Sequence, residues 1–157
     1  RGEDAGTVVV AALPSVEADR GQMRQLFANL IGNALKFRRA DVPPRVTVSV
    51  EPVAGADPAR IRLVVADNGI GFDPRHGERI FLPFQRLHGV EDYRGTGLGL
   101  SIVRRIVERH HGRIAAESAP GQGARFIVEL PLRQPRLAAI TPPSGRAGAA
   151  PATGSAP

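Results

Sequence analysis

Residues 25–37, Q-L-F-A-N-L-I-G-N-A-L-K-F, carry apolar side chains at Leu26, Phe27, Leu30, Ile31, Ala34 and Leu35. That spacing is the period of a helix with one buried face. Two amides four apart, Asn29 and Asn33, sit inside the pattern, and Lys36 and Phe37 follow Asn33 at i+3 and i+4. Residues at those offsets share one helix face. The stripe therefore brings two neutral oxygen donors, one cation and one flat ring to the edge of the buried surface. An amide carbonyl suits a hard cation, an ammonium suits phosphate, and a ring can lie on a base. Such a helix could hold a metal-nucleotide. The plainer alternative is an ordinary helix with Phe37 in the core and Lys36 a solvated charge. Lys36 is the only lysine in the chain, and every other basic residue is Arg. A compact, freely rotating charge is thus set apart at this position.

Composition bounds the rest. With 42% hydrophobic residues in 157, the chain can bury a core, as one domain or one domain plus a tail. No apolar run is long enough to span a membrane, and no charged segment followed by an apolar stretch marks a signal peptide. Cysteine is absent, which removes disulfides and thiolate metal sites and fits a cytoplasmic location. The chain begins with Arg1, and Met23 is its only methionine, so it is expected to be the C-terminal portion of a larger protein. Half of the net charge of +6 comes from Arg133, Arg136 and Arg146, in residues 133–157, which hold no acid. The body is only mildly basic, and Tyr93 and six Phe leave little for base stacking. A nucleic-acid partner is therefore not expected.

Read in order, residues 1–6 are polar and expected to fray. Residues 7–13 read as a strand ended by Pro14. Asp19 reads as a helix N-cap, with Gln22 completing a capping box. The helix described above is expected over residues 20–38, stopped by Pro43 and Pro44. Residues 45–50 alternate polar and apolar and predict a half-buried strand; residues 60–66 predict its hairpin partner. The second strand runs straight into Asp67-Asn68-Gly69-Ile70-Gly71. Asn68-Gly69 alone is an ordinary turn signal. A strand that ends in Asp and then supplies two glycines also lets backbone approach a ligand closely, with the carboxylate able to accept from an amine.

From residue 72 to 98 the pattern loosens. Phe81-Leu82-Pro83-Phe84-Gln85-Arg86 reads as a turn anchored by two rings. Residues 87–94 read as a mobile loop. Gly95-Thr96-Gly97-Leu98-Gly99-Leu100 then precedes an amphipathic helix expected over residues 101–110. A glycine loop that opens a helix is either a flexible linker or an anion site, with N–H groups and the positive dipole end aimed at phosphate. It is neither a dinucleotide fingerprint nor a Walker loop. Gly112 is expected to close the helix as its C′ residue. Residues 113–117 and 124–130 predict two more strands, with Pro120-Gly121-Gln122-Gly123 between them. Residues 133–157, rich in Pro, Ala and Gly, read as a disordered tail.

Together these segments resemble the catalytic, ATP-binding domain of sensor histidine kinases, in the superfamily shared with DNA gyrase, the ninety-kilodalton heat-shock chaperone and the mismatch-repair ATPases. Residues 29–37 resemble the N box, 67–71 the G1 box, 81–86 the F box and 95–100 the G2 box, and the likeness covers roughly residues 7–132. Residues 84–93, F-Q-R-L-H-G-V-E-D-Y, resemble the phytochrome-linked kinases. The resemblance implies an α+β fold, a two-layer sandwich of a mixed sheet packed against helices with a mobile lid near residues 72–98.

The same resemblance implies roles by position. Asn33 would ligate Mg²⁺ and Asn29 would support it. Lys36 and Arg86 would meet phosphate, Phe37 would pack on the adenine or its pocket wall, and Asp67 would accept from the adenine amine. Gly69 and Gly71 would allow close approach. Gly95, Thr96, Gly97, Leu98, Gly99 and Leu100 would form the phosphate-facing turn. Hydrolytic members of the superfamily carry a glutamate at position 29; Asn29 cannot take a proton, which favours transfer to a protein acceptor. None of His76, His88, His110 and His111 has the acidic context of a phosphoacceptor. The acceptor would lie on a separate dimerisation domain, with a response regulator downstream. The fragment is expected to be a monomer and its parent a homodimer. His110 and His111 are expected to be structural, near a helix end that welcomes positive charge. An anti-sigma-type protein-serine kinase and a degenerate nucleotide sensor remain alternatives.

Overall fold

The computed structural model describes residues 6–55, 59–83 and 99–134. Five strands form one mixed sheet in the order β1-β2-β3-β5-β4. They are β1 (Thr7–Val10), β2 (Arg45–Pro52), β3 (Arg60–Asp67), β4 (Arg113–Ser118) and β5 (Ala124–Pro131). Two helices, α1 (Arg20–Lys36) and α2 (Gly99–Arg109), pack on each other and on the sheet. This is the α+β sandwich expected from the sequence.

Alternation in the strands puts the core on one face. β2 buries Val46 and Val48, β3 buries Ile61, Leu63 and Val65, and β5 buries Phe126, Val128 and Leu130. From α1, Leu26, Leu30 and Ala34 meet them at i, i+4 and i+8. Leu26 and Leu30 are both 0% exposed, which stabilises by about 1.5–3 kcal/mol each. β1 runs parallel to β2 with Thr7 opposite Arg45, so the chain crosses over through α1 between them. The β2–β3 and β4–β5 pairs are antiparallel hairpins, as read from the sequence. Among the described residues no helix is long and apolar enough to cross a membrane.

Several boundaries differ from the sequence reading. β1 stops at Val10 rather than residue 13, although Ala11 N still donates to Val48 O at 2.9 Å. α1 ends at Lys36. α2 spans Gly99–Arg109, so Gly99 and Leu100, read from the sequence as part of the glycine turn, are helical. Residues 74–76 and 79–81 form two short 3₁₀ turns, the second burying Ile80 and Phe81. Phe81 meets Phe126 edge-on at 6.2 Å between centroids.

The helix ends also correct two expectations. Gly112 is not the left-handed residue that closes α2: His111 is, with φ 62. His111 N donates to Glu108 O and Gly112 N to Val107 O, the paired bonds of a Schellman end. Gly112 is needed for space, because a Cβ there would lie 2.2 Å from Glu129 O. At the start of α1, the Asp19 side chain accepts from Gln22 N at 2.8 Å. The reciprocal half of the capping box does not form: Asp19 N donates to His110 Nε2 at 3.0 Å instead. His110 is 4% exposed, with Nδ1 2.8 Å from Ile106 O. An acceptor Nε2 puts the ring hydrogen on Nδ1. His110 is structural as expected, but it acts as a strut between α2 and the N-cap of α1 and not as a charge on a helix end.

Candidate functional site

The C-terminal end of α1 meets the loop that leaves β3. Phe37 caps the helix by donating its N–H to Asn33 O at 3.0 Å. Its carbonyl then accepts from Ile70 N at 2.9 Å. A Cβ on Gly69 would lie 2.3 Å from that same oxygen, so only glycine lets the two backbones meet here. Asn68, read from the sequence as a turn residue, clamps the start of β2. Its Oδ1 accepts from Arg45 N at 2.8 Å and its Nδ2 donates to Pro43 O at 3.0 Å.

Asp67 ends β3 at the centre of this arrangement. Its Oδ1 accepts from Gly69 N at 2.8 Å and from Ala124 N at 3.3 Å. Burial pushes its carboxyl above the ordinary 3.8, and the two backbone N–H groups partly oppose that rise. Among the described residues Oδ2 makes no hydrogen bond, so it is left to accept one. The β4–β5 turn closes on the other side. Gly121 N donates to Ile70 O at 2.7 Å. Gly71 (φ 66) would carry a Cβ 2.2 Å from Ala119 O, and Gly123 (φ 74) one 2.0 Å from Asp67 O. Both glycines are required twice, by conformation and by contact.

Further back on α1, Asn29 Nδ2 donates to Gly99 O at 3.4 Å, joining the helix to the first turn of α2. Asn33 and Lys36 lie half-buried between Asn29 and Phe37, and Lys36 Nζ stands 5.1 Å from the Phe37 ring centroid. The structure thus forms two groups of direct contacts: Asn29 with Gly99, and Phe37 and Asp67 with Gly69, while Gly71 packs against the β4–β5 turn. Leu100 follows Gly99 in the same turn. Arg86, Gly95, Thr96, Gly97 and Leu98, with Phe84 and the 84–98 part of the expected lid, lie outside the described residues, as does the tail beyond residue 134; the 72–83 part is packed, with Phe72 N donating to Ser118 Oγ and Ile80 and Phe81 buried. A cleft of about 600 Å³ lined by Asp19, Gln22, Arg109, His110 and Gln134, among others, contains none of the predicted site residues.

From the sequence Asn68 and Gly123 read only as turn residues, and neither Ser118 nor Ala124 is singled out. The P-G-Q-G turn was the available signal, since glycine in a β-turn often marks positive φ. Nothing local showed that this turn would land on Asp67. Among the described residues no group of three or more His, Asp or Glu could hold a metal ion.

Residues 18–134 match the family described as histidine kinase-, DNA gyrase B-, and HSP90-like ATPases. The chain belongs to this family. Within it, the phytochrome-like protein Cph1 of Synechocystis sp. is 42% identical over 130 residues, 83% of this chain and 17% of that protein. The sensor histidine kinase AruS of Pseudomonas aeruginosa is 44% identical over 130 residues, 81% of this chain and 13% of that protein. The chain therefore spans about a sixth or less of these relatives. Among solved structures, full-length ShkA in complex with AMPPNP superposes with a TM-score of 0.69 at 34% identity, covering 85% of this chain and 27% of that one. The mycobacterial sensor histidine kinase MprB gives 0.68 at 26% identity, covering 82% and 83%. The resemblance read from the four motifs is thus correct, and the phytochrome-like relative fits the phytochrome-linked likeness. This histidine kinase-type ATPase domain has the fold of its kinase neighbours.

Proposed function

We propose that this chain is the catalytic domain of a two-component sensor histidine kinase, transferring the γ-phosphate of Mg-ATP to a histidine on a dimerisation domain outside residues 1–157. The observation that carries the reading is Asp67, a half-desolvated carboxylate with one oxygen committed to two backbone N–H groups and the other open. A fixed, partly dry acceptor suits the exocyclic amine of adenine. It stands where the loop meets the end of α1, the helix that carries Asn29, Asn33 and Lys36.

The donor set suits a magnesium ion that arrives with the nucleotide. Asn33 offers one neutral amide oxygen, and among the described residues no carboxylate cluster stands by it, whereas magnesium prefers substrate phosphates and its own waters for its remaining positions. When bound, the ion neutralises phosphate charge. Lys36 and Arg86 would add cationic contacts to the same oxygens, and residues 95–100 would supply N–H groups. The acceptor nitrogen forms the new bond to phosphorus as the bond to the β-phosphate oxygen breaks and ADP leaves. Asn29 cannot deprotonate water, which supports transfer over hydrolysis. The reading extends to a domain over residues 7–132, a separate tail over 133–157, a cytoplasmic location, a monomeric fragment of a homodimeric parent, and a response regulator downstream.

The test is to incubate the chain with radiolabelled Mg-ATP and a separately produced dimerisation domain of a related kinase. Acid-labile label on that domain, none on the chain itself, and none anywhere with Asn33→Ala is the expected result. Acid-stable label on a serine of a partner protein would replace this reading with the protein-serine kinase one.

A further inference from the structure

The loop of residues 67–72 is gripped almost entirely by backbone: Phe37 O, Gly121 N and Ala124 N all reach it from outside. From the β4–β5 hairpin one side chain joins in. Ser118 Oγ accepts from Phe72 N at 2.8 Å and donates to Gly123 O at 2.6 Å. A single hydroxyl so ties the end of the loop to the residue whose backbone is packed against Asp67 O. Ser118 sits at the last position of β4, opposite Ala124 in the hairpin register. Ala124 is the residue whose N–H holds Asp67 Oδ1. The hydroxyl therefore fixes both the loop leaving Asp67 and the strand start that donates to its carboxylate.

We propose that Ser118 is the positioning residue of the Asp67 carboxylate. It does not need to reach a ligand. It closes a ring of contacts that runs from Asp67 through Gly69, Gly71 and Phe72 to Ser118, Gly123 and Ala124, and back to Asp67. Without the hydroxyl, Phe72 N and Gly123 O lose their shared partner in a half-buried place. Unmade hydrogen bonds there favour a looser loop. The carboxylate then samples more than one direction, because its two N–H donors sit on the two segments that separate. For what the carboxylate recognises, the inference rests on the nucleotide reading above; for its position, it does not.

Two measurements on the full chain separate these. Amide hydrogen exchange without nucleotide compares the parent with Ser118→Ala. The informative amides are Gly69 and Ala124, which donate to Asp67 and not to Ser118. Their protection is expected to fall by about tenfold, roughly one lost hydrogen bond, while amides in the centre of β2 and β3 change less. Unchanged Gly69 and Ala124, or an equal loss everywhere, overturns the proposal. Calorimetry with Mg-ATP and Mg-GTP then reads function. Ser118→Ala is expected to weaken Mg-ATP by about tenfold and to narrow the preference for ATP over GTP, with Ser118→Thr restoring both. A merely unstable fold would lower both affinities by one factor, which contradicts the proposal. If the parent binds neither nucleotide while the exchange result is as expected, the nucleotide reading fails and the hold of Ser118 on Asp67 stands.

Discussion

The start of β2 lies between two very different neighbours. On one side Arg45 pairs with Thr7 of β1, a strand of three valines whose exposures run from 40% to 54%. On the other side Arg45 is held by Asn68, in the Asp67-Asn68-Gly69-Ile70-Gly71 loop, whose two glycines are closed to added atoms. By composition β1 should be core and the loop should be surface. The reverse is closer to the truth. Hydrophobic stabilisation follows the area removed from water and not the apolar count, and β1 removes little. The loop packs Phe72 against the core, and close backbone contact with positive φ at Gly71 fixes it in one geometry. Recognition needs that fixed geometry, so the site lies with the glycines.

Substitutions can break this comparison. The largest effect is expected from Gly123→Ala. A methyl at φ 74, aimed 2.0 Å from Asp67 O, should cost about 3 kcal/mol or more, read by denaturant unfolding. Parental stability would mean the loop is not closely fitted. Next, Val46→Ala empties a site that is 0% exposed and should cost about 2 kcal/mol. Third, Asp67→Asn should keep both backbone hydrogen bonds to Oδ1 yet weaken Mg-ATP by at least about tenfold, because a charged acceptor is lost. Smallest, Val10→Thr on β1 should change stability by no more than about 0.5 kcal/mol; a loss matching Val46→Ala would show β1 to be core after all.

Asp67→Asn also sharpens the comparison through pH. Burial raises the folded carboxyl above its ordinary 3.8. A raised acid lends the fold stability that is fully present below the unfolded value and is lost as pH climbs through the folded one. The variant has no such titration. Its stability relative to the parent should therefore rise as pH climbs from the ordinary 3.8 through the raised folded value, measured as the difference in unfolding free energy across that rise. A flat difference would mean Asp67 is not desolvated.

Much of the fold was legible because period and punctuation are local. The alternation in β2 and β3, the helical face of Leu26, Leu30 and Ala34, and the turn residues between strands each announce one element within a few positions. The site was legible in part for the same reason: Asp67, Gly69 and Gly71 follow a strand directly. What was hidden depends on distant crowding. Gly112 is required because Glu129 O fills the space beside it, while His111 holds the left-handed position. The Asp19–His110 strut spans 91 positions, and the reach of Ser118 to Phe72 spans 46. No local pattern carries such contacts.

The central claim is that the end of α1 and the loop after β3 form one magnesium-nucleotide site. It is tested most directly by calorimetric titration of the 157-residue chain with ATP, with and without Mg²⁺, beside Asn33→Ala. Saturable binding that requires Mg²⁺, and that Asn33→Ala weakens by at least about tenfold while its unfolding midpoint holds, is the predicted result. Binding indifferent to Mg²⁺, or equal in the variant, would contradict the claim.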